Sequence, residues 1–214
     1  MNPDEPIVHV VDDDPAVRES LKWMIESGGF NVATYDRAKV FLDTYDPNRF
    51  GCVVADVRMP GISGLELQEQ LAATDVTLPV IIICGYGDVP IAVRAMRTGA
   101  VDFIEKPFDD QFLLTRIREA VEKNIRSRRI RAERAAVETK MARLTPRETE
   151  VMGLVVDGHP NKRIAADLGI SMKTVEAHRA RVMDKMQADS LARLVRLAET
   201  VRDGMRIPAR PRTS

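Results

Sequence analysis

Two cysteines in 214 residues, Cys52 and Cys84, leave no disulfide framework. If each lies on a parallel strand, the first opens its strand and the second closes another. Four residues of rise, about 13 Å at about 3.3 Å each, then separate their levels, too far for a bridge. No apolar run approaches the length that crosses a bilayer, and the opening Met1-Asn2-Pro3-Asp4-Glu5-Pro6 is acidic, unlike a signal peptide. A cytoplasmic protein without a membrane partner is therefore expected. Gly85-Tyr86-Gly87 lacks the third glycine and the downstream acid of a dinucleotide fingerprint, and reads instead as a pliable loop. Net charge is absent too, with 32 Lys+Arg against 32 Asp+Glu, but the balance is not local. Residues 1–125 hold 12 cations against 21 acids, a net −9, while residues 126–214 hold 20 against 11, a net +9. Two domains with different partners are implied, the second suited to a polyanion.

Present instead are short apolar runs that stop abruptly at a charge. Val8-His9-Val10-Val11 meets Asp12-Asp13-Asp14, Val53-Val54-Ala55 meets Asp56, and Phe103-Ile104 meets Glu105-Lys106-Pro107. Strands buried on both faces of a parallel sheet have this look, and ligands bind at their carboxyl ends. Acids and one lysine at three such ends suit a metal ion and a phosphoryl group. Strands are expected over Ile7–Val11, Asn31–Tyr35, Cys52–Ala55, Val80–Cys84 and Val101–Ile104. Asp14-Pro15 supplies a helix cap and a first-turn proline, followed by Val17, Leu21, Met24 and Ile25 at helical spacing until Gly28. Gly64 precedes Leu65, Leu67 and Leu71, and Asp88 precedes Ile91, Val93, Ala95 and Met96. Five βα units predict an α/β, doubly wound five-stranded parallel sheet over residues 1–125. His9, inside a strand, is expected in the core.

From Asp109 to Arg143 neither glycine nor proline interrupts the chain. A fifth helix should run on into a charged helical linker over residues 126–142. There Ile130, Val137 and Leu144 stand at heptad spacing without establishing a coiled-coil seam. A small all-α, four-helix domain is expected over residues 143–206. Thr145-Pro146-Arg147-Glu148 fits a capping box, Gly158-His159-Pro160 ends the first helix, and Gly169 stops a second. Ser171 caps a third and Asp189-Ser190 starts a fourth. Two short helices hinged at a glycine form a helix-turn-helix. Residues 207–214 should be a disordered tail.

Residues 7–120 resemble a bacterial response-regulator receiver domain, residues 143–200 a LuxR-type DNA-binding domain, and the whole chain the FixJ subgroup of two-component transcription factors. The resemblance implies a flavodoxin-like receiver fold in which Asp56 is the phosphoacceptor and Asp12 and Asp13 are the acidic pair. It implies Mg²⁺ held by Asp13, Asp56 and the main-chain carbonyl of Arg58 with Asp12 close by, Lys106 on the phosphoryl oxygens, Phe103 as the switch aromatic, and a cis bond before Pro107. The residue chemistry agrees, since clustered carboxylates repel unless a hard cation sits among them. One position departs from the family: Cys84 stands where a Ser or Thr hydroxyl would bind a phosphoryl oxygen. A thiol is larger and a weak donor. The alternative to a phosphorylation-dependent regulator is thus a phosphorylation-independent one whose receiver is degenerate. A redox sensor at Cys84 is disfavoured, because Lys106 is the one nearby cation in sequence. An aspartyl-phosphate phosphatase would need an acid two residues after Asp56, where Arg58 stands, so no enzyme is expected.

Residues 171–186 look like the recognition helix of the LuxR-type family. Val175, Val182 and Met186 should face the core, with Met183 and Leu191 beside them. Lys173, Thr174, Glu176, Ala177, His178, Arg179, Arg181 and Lys185 are the candidate contacts to double-stranded DNA, joined by Lys162 and Arg163 on the preceding helix. Glu176 either accepts from a cytosine amino group or pairs with Arg179. The implied partners are a cognate histidine kinase, DNA and, on phosphorylation, a second copy bound through residues 88–105, where Val93, Arg97 and Asp102 are candidates.

Overall fold

In the computed structural model the described residues are 5–74, 78–85 and 89–202, so Tyr86, Gly87, Asp88 and the tail over 207–214 lie outside them. The chain divides into two compact units at Arg128 and Arg129. The first contains β1 (Ile7–Val11), α1 (Pro15–Ser27), β2 (Asn31–Tyr35), α2 (Ala38–Thr44), β3 (Gly51–Asp56), α3 (Gly64–Ala72), β4 (Val80–Cys84), α4 (Val89–Arg97), β5 (Asp102–Glu105) and the start of α5 (Asp110–Met141). The second contains the end of α5, then α6 (Pro146–Val156), α7 (Asn161–Leu168), α8 (Met172–Met186) and α9 (Leu191–Arg202).

All five strands are parallel, in the order β2-β1-β3-β4-β5. The three central strands are buried throughout, which is why each reads as a continuous apolar run rather than an alternation. One face packs Phe41, Leu67, Leu71 and Ile82 together, and the other packs Ile25, Ile81, Ile83, Leu113 and Ile117. Each such side chain contributes roughly 1.5–3 kcal/mol through burial. Asp14 caps α1 by accepting from the Ala16 and Val17 amides, and Ser63 with Glu66 forms a capping box on α3. At the start of β3, Gly51 leaves room that a Cβ would close, since it would lie 1.8 Å from the Ile7 carbonyl oxygen.

Several boundaries differ from expectation. β3 includes Gly51 and Asp56, because Asp56 still pairs in register with Ile83. β5 starts and ends one residue later than predicted, its ladder pairing Ile81 with Asp102 and Cys84 with Glu105. α2 escaped the sequence reading: its cap, Arg37, makes no side-chain capping bond, and it buries only Ala38 and Phe41. On α4, Val93 and Met96 are 42% and 49% exposed, so only Ala95 of its expected core positions is fully buried.

In the second unit Val137, Val151, Met152, Ile164, Val175, Val182, Met186 and Leu194 form one core. Val137 therefore belongs to this core and not to a heptad seam, while Ile130 is exposed. Leu191, expected beside the core, is 46% exposed at the first position of α9, and Leu194 and Leu197 fill the place instead. The helix-turn-helix is α7, a turn through Gly169 at φ +65°, and α8.

Candidate functional site

β1, β3 and β5 end on one edge of the sheet, and each delivers a charged group there. Asp12 follows β1, Asp56 closes β3, and Lys106 follows β5. The Lys106 Nζ donates to Asp56 Oδ1 at 2.7 Å and to Asp12 Oδ2 at 3.1 Å. Main-chain amides hold the other oxygens, Asp14 donating to Asp12 Oδ1 at 2.9 Å and Arg58 to Asp56 Oδ2 at 2.7 Å. The Lys106–Pro107 peptide is cis, and the Lys106 amide donates to the Cys84 carbonyl at 2.7 Å.

Two buried acids share one ammonium. Burial raises the Asp12 pKa above its usual value, outweighing its bonds to the Asp14 amide and Lys106, and the Asp56 charge pushes the same way. Burial on its own would lower Lys106, but its bonds to Asp56 and Asp12 prevail and hold it above the ordinary lysine value. Asp12 is under-compensated: its bonds to the Asp14 amide and to Lys106 do not offset its desolvation.

Asp13 is exposed, and among the described residues no three His, Cys, Asp or Glu side chains gather closely enough to hold a metal ion. The donor set nevertheless suits a hard cation. Asp12 and Asp56 against one ammonium leave an excess of one negative charge, and Mg²⁺ ordinarily takes one or two carboxylates and keeps its waters. Asp12 and Asp56 bring their carboxylate oxygens together at this edge of the sheet.

Cys84 is 1% exposed, in the apolar cluster with Ala55, Ala95 and the half-buried Phe103. It and Cys52 are free thiols. A residue that sequence reasoning missed is Gly64, the first of α3. A Cβ there would lie 2.2 Å from the Asp56 carbonyl oxygen, so only glycine lets α3 abut the end of β3. Its lone signal in sequence was a glycine where a helix begins.

The second unit presents a different chemistry. On α8, Val175, Val182 and Met186 turn inward, while Lys173, Thr174, Glu176, Ala177 and Arg181 are exposed and His178, Arg179 and Lys185 half-buried. Thr174 is drawn into the cap, its hydroxyl 2.8 Å from that of Ser171. The Arg179 guanidinium donates to Asn161 Oδ1 on α7 at 2.8 Å, and among the described residues no ion pair joins it to Glu176. Lys185 donates to Glu148 Oε2 at 2.6 Å. Glu148 is 2% exposed and also accepts from the Thr145 amide at 2.8 Å. These bonds, led by the one from Lys185, depress its carboxyl to about 2. Lys162 is exposed on α7, and Arg163 lies 3.8 Å from Asp167 in an open ion pair. The His178 Nδ1 is enclosed without a hydrogen-bond partner among the described residues.

No helix among the described residues is long and apolar enough to cross a membrane. A family profile described as the response regulator receiver domain matches residues 8–118, and one described as bacterial regulatory proteins, luxR family, matches residues 142–198. The transcriptional regulatory protein FixJ of Azorhizobium caulinodans is 50% identical over 191 residues, 89% of this chain and 90% of that protein. FixJ of Bradyrhizobium diazoefficiens is 46% identical over 198 residues, 92% and 96% of the two chains. Among solved structures, the response regulator StyR superposes with a TM-score of 0.83 at 45% identity, covering 91% of this chain and 98% of that one. Full-length FixJ from B. japonicum does so with a TM-score of 0.56 at 44% identity, covering 92% and 97%.

Proposed function

The chain belongs to the response regulators that join a receiver domain to a LuxR-type DNA-binding domain, and on that premise we propose that phosphorylation of Asp56 gates its binding to DNA. It is a two-component transcriptional regulator. The observation that carries the proposal is the cluster in which Asp12 and Asp56 share Lys106 at the ends of three parallel strands.

The donor is a phosphohistidine of a cognate histidine kinase. An Asp56 carboxylate oxygen attacks phosphorus, the phosphorus–nitrogen bond breaks, and its electron pair stays with the departing imidazole. The Arg58 amide fixes the carboxylate by its second oxygen, which leaves Oδ1 facing Lys106. When transfer turns that oxygen into the bridging oxygen of an acyl phosphate, the ammonium is free to meet the phosphoryl oxygens. Mg²⁺, held by Asp12, Asp13, Asp56 and the Arg58 carbonyl, supplies positive charge for those oxygens when bound. A cavity of about 370 Å³ beside Lys106, lined by Met24, Phe108 and Trp23 among others, offers a protein donor a concave seat. Trp23 is 72% exposed.

The output is sequence-specific binding to double-stranded DNA by α8, with Thr174, Glu176, Ala177 and His178 toward base edges and Lys162, Arg163, Lys173 and Arg181 toward phosphates. Glu176, exposed and unpaired among the described residues, is an acceptor for a cytosine amino group. Phosphorylation brings two copies together through residues 88–105, where Val89, Val93 and Met96 form an exposed apolar stripe on α4. The protein works in the cytoplasm and is not itself an enzyme. The phosphorylation-independent alternative, raised by Cys84, finds no support in the comparisons.

Intact-mass spectrometry after incubation with acetyl phosphate and Mg²⁺ tests the acceptor. One phosphoryl adduct is expected on the wild type and none on Asp56→Asn. An unmodified wild type, or an adduct that persists in the variant, overturns the assignment.

A further inference from the structure

Cations on a DNA-facing helix are ordinarily counted as phosphate contacts, and by that count Arg179 and Lys185 would join Lys173 and Arg181. Their surroundings separate the four. Lys173 and Arg181 are exposed and have no partner among the described residues. Arg179 and Lys185 are half-buried, and each is held from another helix of the same unit.

The Lys185 contact is the stronger. Its acceptor, Glu148, has a side chain only 3% exposed, at 2.6 Å. A carboxylate that deep is tolerated because it is paired, and withdrawing Lys185 to reach a phosphate would leave it unpaired in the unit's interior. Glu148 also closes the capping box of α6, accepting from the Thr145 amide with the oxygen that meets Lys185. One carboxylate thereby fixes the end of α8 to the beginning of α6. Nearer the start of α8, Arg179 reaches Asn161 at the first position of α7. α8 is thus fastened at one point to each of the two helices it packs on.

We propose that Lys185 and Arg179 are positioning residues for DNA recognition, setting the angle and depth of α8 in the groove through Glu148 and Asn161 without contacting phosphate. The proposal rests on the reading of this unit as a DNA-binding domain. It assigns sequence selectivity to two residue pairs, one member of each lying on a different helix from the groups that touch bases. It also limits the electrostatic part of binding on α8 to Lys173 and Arg181.

Phosphate-binding and positioning residues differ in a measurable way. Removing a cation that touches phosphate weakens binding to every sequence alike and lowers the salt slope by about one. Removing a residue that only orients the helix blunts discrimination between sequences and leaves the slope alone. The experiment uses the full-length chain and two duplexes: one recovered by the wild type from a random-sequence pool, and a scrambled version of it. Affinities for both are measured across a salt series, with the helical content of each variant checked by circular dichroism.

For Lys185→Met the ratio of selected to scrambled affinity is expected to fall roughly tenfold, the size of one charge-assisted hydrogen bond, with the slope on scrambled DNA unchanged. In a Glu148→Gln background the same substitution should cost no further selectivity, because its partner is already neutral. Arg179→Gln, tested with and without Asn161→Ala, provides an independent arm should the Glu148 variants fold poorly. Lys173→Gln and Arg181→Gln should behave oppositely, each lowering the slope by about one on both duplexes. The proposal is overturned if Lys185→Met lowers both affinities together with a slope loss of about one. It is equally overturned by a proportionate fall of both at constant slope, which is loss of folded protein. A wild type that recovers no duplex from the pool removes the DNA-binding reading itself, whereas a wild type that does while Lys185→Met behaves as a phosphate-binding residue removes only this inference.

Discussion

Asp12 is 2% exposed and shares its ammonium partner with a second carboxylate, so its charge is strained in the folded state. Because its folded pKa is raised above the unfolded value, the folded protein binds the extra proton, and stability falls as pH rises through that range. Asp12→Asn is therefore expected to raise the urea midpoint of the receiver unit at pH 7; a lower midpoint would contradict the under-compensation of Asp12. His9 has the opposite sign. Burial first, and the nearby Arg49 charge second, hold its imidazole at about 4 against an ordinary 6.5. Its neutral form contributes stability in full above pH 6.5, and that contribution is lost as pH falls toward 4, on the order of 3 kcal/mol in all. The difference in unfolding free energy between wild type and His9→Phe, followed from pH 7 to pH 4, isolates this contribution; a difference independent of pH would refute it. Asp12, Asp56 and Lys106 stood out in sequence because each ends an apolar run. Glu148 did not. Its capping role was visible from the Thr145 spacing, but a partner 37 residues away was not.

Elements were legible where periodicity and punctuation agreed. α1 has a cap, a first-turn proline and buried residues at three-to-four spacing, and it forms as expected. α2 has none of these and depends on Phe41 packing edge-on to Tyr35 and His9, contacts made from strands of the fold. The heptad spacing of Ile130, Val137 and Leu144 establishes no seam: Val137 and Leu144 pack in the second unit's core and Ile130 is exposed, because an apolar stripe shows which face is buried without showing against what. α3 shows how an element depends on a single atom's absence. Its Gly64 amide donates to the Val57 carbonyl at 3.1 Å, and a side chain there would drive into the Asp56 carbonyl, which cannot swing aside. Gly64→Ala is expected to destabilise the receiver by roughly 1–3 kcal/mol and to slow phosphoryl acceptance at the displaced Asp56. Urea denaturation and the rate of adduct formation check the two parts, and an unchanged midpoint would contradict the close approach.

At the scale of the molecule, an acidic receiver and a basic DNA-binding unit follow from charge segregation that composition alone conceals. Two compact units are plain in the chain's patterning, but the partition within α5 is not. No breaker marks it, and the 32-residue helix crosses from one unit to the other at Arg128. Coupling between the units is expected to pass through a dimer. Val93, 42% exposed on α4, is central to the stripe proposed for it. Light scattering should find phosphorylated wild type dimeric and phosphorylated Val93→Asp monomeric, with phosphorylation itself intact; a dimer in the variant would place the interface elsewhere. The anion held at Asp56 is expected to control the affinity of α8 for DNA. Affinity for a selected duplex, measured with and without beryllium fluoride and Mg²⁺, addresses it directly. Tighter binding by the wild type on activation and no response from Asp56→Asn is the predicted result. Equal affinity in both states of the wild type would contradict phosphorylation control of DNA binding.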